Sequence, residues 1–264
     1  MPERNDFLKR YLGQAPVFLA MERAIECRLI SKIGIERPIL DLGCGDGLFA
    51  SILFSRPAEV GIDISFTEIM TALNRKAYKN TLAGDLSRLP LKTGCMRTII
   101  CNSVMEHIPD LKAALQEARR ILAPGGKFII TIPTDNYERF LFYPRLFSGL
   151  GLNALADRYR ETMNRVFRHY HTYTSPRWVK IIEENGFKIL RKIPYCPREV
   201  LGLTDFYLPF SSLSWLNKKI LKRWILWPGF RRVAVRFLEP ILRKRYLYED
   251  IKKEGCLLIE ATGA

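Results

Sequence analysis

The chain contains no C-x-x-C pair and only three histidines in 264 residues. Neither a metal site of the usual zinc-ligand spacing nor a disulfide framework is therefore expected, and the metal expectation is none. Its cysteines (Cys27, Cys44, Cys95, Cys101, Cys196 and Cys256) are scattered, as suits a reducing compartment. No apolar run approaches the roughly 18 residues that span a bilayer. Residues 1–6 show no basic-then-apolar targeting pattern, so a cytoplasmic protein is expected. No G-x-x-x-x-G-K-S/T loop is present to grip a triphosphate, and no internal repeat or low-complexity tract appears. Acidic side chains are scarce in one region only. Residues 139–253 carry 24 basic and 9 acidic side chains, whereas residues 1–138 carry 18 and 16, in a chain of net charge +15. The cationic part is expected to face something anionic.

What is present follows an alternating rhythm. Residues 6–33 have apolar residues at helical spacing, split by Pro16 and stopped near Gly34. Strands are expected at 38–42, 59–65, 81–86, 98–102, 127–133, 187–193 and 255–261. Helices are expected at 48–54, 66–78, 111–122 and 178–185. Strands alternating with helices imply a parallel sheet covered on both faces, an α/β fold. Residues 135–173 and 195–253 break the rhythm. The first stretch is aromatic and arginine-rich, and the second reads as a helical insertion.

The first strand runs into Asp41-Leu42-Gly43-Cys44-Gly45-Asp46-Gly47. Glycines at alternate positions let the backbone turn sharply and come close to a ligand, and the amides opening the next helix leave a partly positive rim. The spacing is not the G-x-G-x-x-G of dinucleotide sites. Such a corner also occurs with no ligand at all. Acids recur, however, at successive strand ends: Asp41, Asp63 and Asp85. In an open α/β sheet that edge is where ligands bind. An acid after the second strand can accept from ribose hydroxyls, and one after the third suits an adenine amino group. Carboxylates repel a triphosphate, so a neutral or cationic nucleoside is expected.

LDLGCGDG, GIDIS, GDLSRLP, NSVMEHIPD and RILAPGGKFIITIPT, in that order and spacing, resemble the class I S-adenosylmethionine-dependent methyltransferases. The likeness is to the group that includes quinone, lipid and small-molecule enzymes. It implies a Rossmann-like, seven-stranded, mostly parallel sheet with helices on both faces. The last strand would be antiparallel, between the fifth and sixth. It also implies one domain over 1–264, with a core at 36–134, 174–194 and 254–264. Residues 135–173 would cover the acceptor, and 195–253 would be the insertion. S-adenosyl-L-methionine is the implied cofactor. By that resemblance Asp41, Gly43, Gly45 and the Cys44 backbone line its methionine end. Asp63 takes the ribose hydroxyls, Ile64 packs on adenine, and Asp85 and Leu86 meet the adenine edge. Asn102 and Ser103 sit beside the sulfonium. Met96-Arg97 stands where relatives usually have Phe-Asp, which affects a local turn contact.

The chemistry asks chiefly for alignment, since the cofactor brings the reactive group. An oxygen acceptor also needs a base. His107, after Glu106, is the first candidate, with capping of the next helix or shaping of the pocket as the blander role. His171 is the second candidate, beside His169. One Glu-His pair does not define a metal site. Residues 215–227 place apolar residues on one half of a helical wheel and Lys218, Lys219, Lys222 and Arg223 on the other. In 230–239, Phe230, Val233, Ala234, Phe237 and Leu238 oppose Arg231, Arg232 and Arg236. Three readings follow for 215–245: packing on the core, an anionic membrane surface, or nucleic acid, with the last less favoured. The expected function is methyl transfer to a hydroxyl or carbon of a small-molecule, lipid, quinone or lipid-linked glycan acceptor, peripheral on the inner membrane face. An RNA methyltransferase and a non-catalytic nucleoside-binding module are the rivals.

Overall fold

Ile39-Leu40-Asp41-Leu42 is the buried first strand, and six further strands build outward from it in a computed structural model. The structure describes residues 6–264 except 212, 213, 215, 216, 219, 221–223, 226, 227, 250 and 252, and except the side chains of 210, 228, 230 and 232. Its elements in chain order are α1 (Phe7–Leu12), α2 (Val17–Ile30), β1 (Ile39–Leu42), α3 (Leu48–Leu53), β2 (Ala58–Asp63), α4 (Phe66–Arg75), β3 (Tyr78–Ala83) and β4 (Met96–Asn102). There follow α5 (Leu111–Ile121), β5 (Leu122–Pro133), α6 (Asn136–Phe140), α7 (Phe142–Gly149), α8 (Asn153–Phe167), α9 (Ser175–Glu184), β6 (Phe187–Tyr195), α10 (Arg198–Tyr207), α11 (Pro228–Tyr246) and β7 (Cys256–Gly263).

The strand order is β3-β2-β1-β4-β5-β7-β6. β1 pairs in parallel with β2 and β4, with Asp41 opposite Gly61 on one side and Ile100 on the other. β7 runs antiparallel to β5, so the expected mixed sheet with a late reversed strand is the observed one. The chain divides into two compact units. One holds Ile30–Asp135, Arg168–Ile193 and Cys256–Ala264; the other holds Met1–Leu29, Asn136–Phe167 and Pro194–Gly255.

In the sheet-bearing unit the core is made by Leu40, Ile62, Ile99, Phe128, Ile130 and Trp178, all nearly inaccessible. The ring of Phe128 lies 4.7 Å from that of Phe187, and the Trp178 indole N–H donates to the Pro133 carbonyl at 2.9 Å. Among the boundaries that differ from the sequence expectation, two have a clear local cause. The helix expected over 66–78 ends at Arg75, because Lys76 adopts a left-handed conformation (φ 55°) and closes the helix. That releases Tyr78 to start β3 three residues earlier than expected. α5 ends at Ile121, and β5 starts at Leu122 instead of Lys127. The Ala123–Gly126 segment, read as a helix stop, is a register irregularity within the strand. Arg97, which replaces the usual acid of relatives, bonds Glu36 at 2.5 Å and the Pro124 carbonyl at 2.9 Å, so its side chain is absorbed locally.

In the other unit, Asp6 caps α1 by accepting from the Lys9 amide. Arg231 of α11 donates to the carbonyls of Leu12 and Ala15 at 2.6 and 2.7 Å. The buried side of α11 carries Val235, Leu242 and Tyr246. Val233, Phe237 and Ile241, at successive i, i+4 positions, are instead 52%, 72% and 59% exposed. The wheel read from sequence thus put Val233 and Phe237 on the face taken to be apolar, but that stripe is not the one that packs. Most of the helix expected over 215–227 lies outside the described residues. Within them, Trp224 meets Phe18 edge-on at 6.5 Å, with Lys218 over its ring. No helix among the described residues is long and apolar enough to cross a membrane.

Candidate active site

The glycine turn after β1 uses its three glycines differently. Gly43 (φ +73°) has no room for a side chain, since an added Cβ would lie 2.3 Å from Val104 Cγ2. At Gly47 (φ +74°) an added Cβ would lie 3.1 Å from Ala72 and Ala77. Gly45 (φ +51°) has nothing within 4 Å of that position. Open space therefore lies over Gly45 alone.

The amides of the turn are committed internally. Gly43 and Cys44 both donate to the Ile62 carbonyl, at 2.8 and 2.9 Å, and Gly45 donates to Asp63 Oδ2 at 2.9 Å. The Leu48 amide, at the start of α3, donates to Asp46 Oδ1 at 3.0 Å. The partly positive helix rim expected from sequence is thus already capped by a carboxylate, and α3 is only six residues long. This explains physically why the corner suits a nucleoside without phosphates: an anion there would meet Asp46 in place of free N–H groups.

The acids fall where the strand ends place them. Asp63 is the last residue of β2, and its second oxygen accepts from the Ser65 amide at 2.9 Å. Both oxygens are held in place while each keeps a lone pair for a ribose hydroxyl. Next to it, Ile64 is 78% exposed, an apolar platform at the strand edge. Asp85 is exposed, two residues beyond β3, with Oδ1 turned onto the Ser87 amide, and Leu86 beside it is buried. Asn102 Oδ1 accepts from the Thr131 hydroxyl at 2.9 Å, and the Ser103 amide donates to Thr131, with Ser103 at φ +52°. The Cys44 thiol is buried, and burial first, then Asp41, pushes its pKa up, so the neutral thiol is inert.

Asp41 is only 3% exposed and accepts from the Tyr78 hydroxyl at 2.6 Å. Burial pushes its pKa up to about 7, with the Tyr78 bond opposing and Asp63 adding to the rise. Sequence reasoning missed Tyr78 because it counted that residue as the end of a helix. The signal was Gly61: an added Cβ there would lie 2.8 Å from the Tyr78 ring, so only glycine lets the ring cross β2 toward Asp41.

Beyond Val104 the chain makes a short 3₁₀ turn, Met105–His107. Asp110, not His107, caps α5 by accepting from the Ala113 amide at 3.0 Å, so the capping role is excluded for His107. Its Nδ1 lies 3.2 Å from the Arg168 carbonyl, which can only accept, and its Nε2 lies 3.7 Å from Glu106 Oε1. Neutral His107 is then the Nδ1–H tautomer with its lone pair on Nε2. The His107 ring stacks on His169 at 5.2 Å, and burial, then His107, holds the His169 pKa down at about 4. Tyr170 and His171 amides both donate to the Glu106 carbonyl, fixing residues 168–171 against the turn. His171, the second candidate base, is hydrogen-bonded at both ring nitrogens. Nε2 is 2.9 Å from the Ile108 carbonyl, to which it donates, and the Nδ1 lone pair is engaged by the Tyr173 hydroxyl at 2.9 Å. Glu106, His107 and His169 offer ligand atoms within 4.8 Å of one another. A divalent ion is geometrically admissible there, although the sequence expectation was none.

A switch-point edge with an open glycine, a doubly anchored carboxylate and an apolar platform defines an enzyme site for an uncharged or cationic nucleoside. A methyltransferase domain model matches residues 40–130. Over 218 residues the chain is 30% identical to a ubiquinone biosynthesis O-methyltransferase of Psychrobacter arcticus, covering 76% of this chain and 77% of that one. The fold also matches a SAM-dependent methyltransferase of Thermotoga maritima (TM-score 0.53, 18% identity, 98% and 93% covered). A further match is a geranyl diphosphate C-methyltransferase of Streptomyces coelicolor bound to S-adenosyl-L-homocysteine (TM-score 0.51, 14% identity, 89% and 77% covered). The chain belongs to the class I S-adenosylmethionine-dependent methyltransferases, and S-adenosyl-L-methionine is its cofactor.

Proposed function

We propose that this methyltransferase acts on a hydroxyl oxygen of a lipidic acceptor, such as a quinone or lipid-linked glycan, at an anionic membrane surface. The observation that carries the reading is the match over three quarters of both chains to an enzyme named as an O-methyltransferase of ubiquinone biosynthesis. The bound cofactor supplies an electrophilic methyl group. The residues proposed to hold it are Asp63 for the ribose, Ile64, Asp85 and Leu86 for the adenine, and Gly43, Cys44 and Gly45 along the methionine end. Asp41 offers charge to that cationic end, and the Thr131-braced Asn102–Ser103 corner flanks the reacting centre.

An oxygen acceptor must lose its proton as the new bond forms. His107 Nε2 is the proposed recipient. The Arg168 carbonyl fixes the tautomer, and the Glu106 carboxyl at 3.7 Å stabilises the positive charge the ring acquires. The membrane part of the reading is supported by the exposed stripe Val233, Phe237 and Ile241, which lies among the exposed cations Arg236, Lys244 and Arg245.

Transfer of labelled methyl from S-adenosyl-L-methionine into a cell lipid extract, run beside an RNA extract, tests the acceptor. Label entering the lipid fraction and lost with His107→Ala supports the proposal. Label entering RNA alone overturns it.

A further inference from the structure

Among Asn136–Phe167 and Pro194–Gly255, an open cavity of about 400 Å³ is lined by Arg145, Arg198, Arg245, Phe142, Leu203 and Phe206. Three cations share it with a single acid, Glu199. Arg145 is the informative one. Its Nη1 donates to the Phe140 carbonyl at 3.3 Å, but its buried Nε has no hydrogen-bond partner among the described residues. A buried N–H left unmet is costly, and a guanidinium carries five N–H groups, so Arg145 keeps donors beyond the one that Phe140 takes.

The helix beneath is shaped around this side chain. Gly202 sits in the interior of α10, where glycine is disfavoured, and an added Cβ there would lie 3.3 Å from Arg145 Nη1 and 3.5 Å from the Phe140 carbonyl. Burial, and then the neighbouring Arg198, pushes the Arg145 pKa down, with Glu199 opposing. An anion between the arginines would reverse that cost. The rest of the wall is apolar: Phe142 and Phe206 meet edge-to-face at 5.3 Å, with Leu203 beside them.

We propose that this cavity binds a phosphate group carried on an apolar chain. Planar, forked guanidinium groups match phosphate oxygens two at a time, and Phe142, Leu203 and Phe206 take the first carbons of the chain. Its lining shares no residue with the proposed cofactor site, and the inference stands whatever the methyl acceptor proves to be. The phosphate belongs either to a membrane lipid headgroup or to a free phosphorylated amphiphile.

Calorimetry of the full chain with dodecyl phosphate and with inorganic phosphate, alongside flotation on phosphatidic acid vesicles, tests it. The expected result is tighter binding of dodecyl phosphate than of inorganic phosphate. Arg145→Ala and Arg198→Ala should each weaken both by roughly tenfold. Phe206→Ala should weaken only dodecyl phosphate. Should Arg145→Ala fail to fold, Arg198→Ala, at an exposed side chain, carries the same test. Flotation lost in Arg198→Ala assigns the phosphate to a membrane lipid, whereas dodecyl phosphate binding without flotation assigns it to a free ester. Absence of binding to any of the probes overturns the proposal, as does equal weakening by Lys188→Ala, an exposed cation outside the cavity.

Discussion

Asp41 lies between two parallel neighbours with a tyrosine hydroxyl against it, and its charge is paid for by whatever binds there. Its folded pKa of about 7 stands above the ordinary value of 3.8. The folded protein therefore holds a proton that the unfolded chain has lost. Stability from this group is full below the unfolded value and falls as pH rises toward 7, by an order of ~4 kcal/mol at most. A cationic ligand favours the ionised form, so the affinity for S-adenosyl-L-methionine should rise between about pH 5 and 8. Asp41→Asn should flatten that rise in calorimetry; an unchanged slope would remove Asp41 from the cofactor's charge balance. The histidines separate in the same way. His107→Ala should lower turnover by about 10²-fold or more and leave cofactor affinity intact. His171→Ala should instead cost about 1–3 kcal/mol of stability through its lost bonds to Ile108 and Tyr173. Thermal melts beside initial rates distinguish the two outcomes.

At the scale of elements, the glycine turn gives a paired test. Gly43→Ala drives a methyl group into Val104 and should destabilise the fold by about 2–3 kcal/mol. Gly45→Ala meets open space, so the protein should stay folded, with a left-handed backbone cost of about 1 kcal/mol, and lose cofactor binding. Equal melting losses for the two would contradict the different jobs assigned to them. The strand-end place of Asp63 and the glycine turn were legible in the sequence because a strand-end acid and a turn need only local spacing to be recognised. The β3 boundary was not, since Lys76 ends α4 by adopting a backbone conformation that its residue type does not advertise. Tyr78 and Thr131 were invisible for a related reason: their partners come from other strands, Asp41 from across β2 and Asn102 from the adjacent β4, and the pairing exists only once the sheet register is set. His169 reaches His107 through a return of the chain that carries no local pattern.

On the scale of the whole molecule, the net charge of +15 is concentrated in the part of the chain that also exposes apolar residues. Charge alone would give a salt-sensitive attraction to any polyanion. The stripe Val233, Phe237 and Ile241 adds a term that only an apolar phase can satisfy. Inserting two such side chains contributes about 3 kcal/mol, and each nearby Lys or Arg adds ~1 kcal/mol against anionic lipid. The protein should therefore float with vesicles containing phosphatidylglycerol and not with pure phosphatidylcholine, and binding should weaken as salt rises. Phe237→Asp with Ile241→Asp, both exposed and so harmless to packing, should reduce the vesicle partition coefficient by roughly a hundredfold at constant salt. RNA offers the charge without the apolar phase, so the same pair of substitutions should weaken RNA retention only slightly, through added negative charge. If the double variant floats as well as the parent, cations alone govern the attraction, and the stripe on α11 has no role at the membrane.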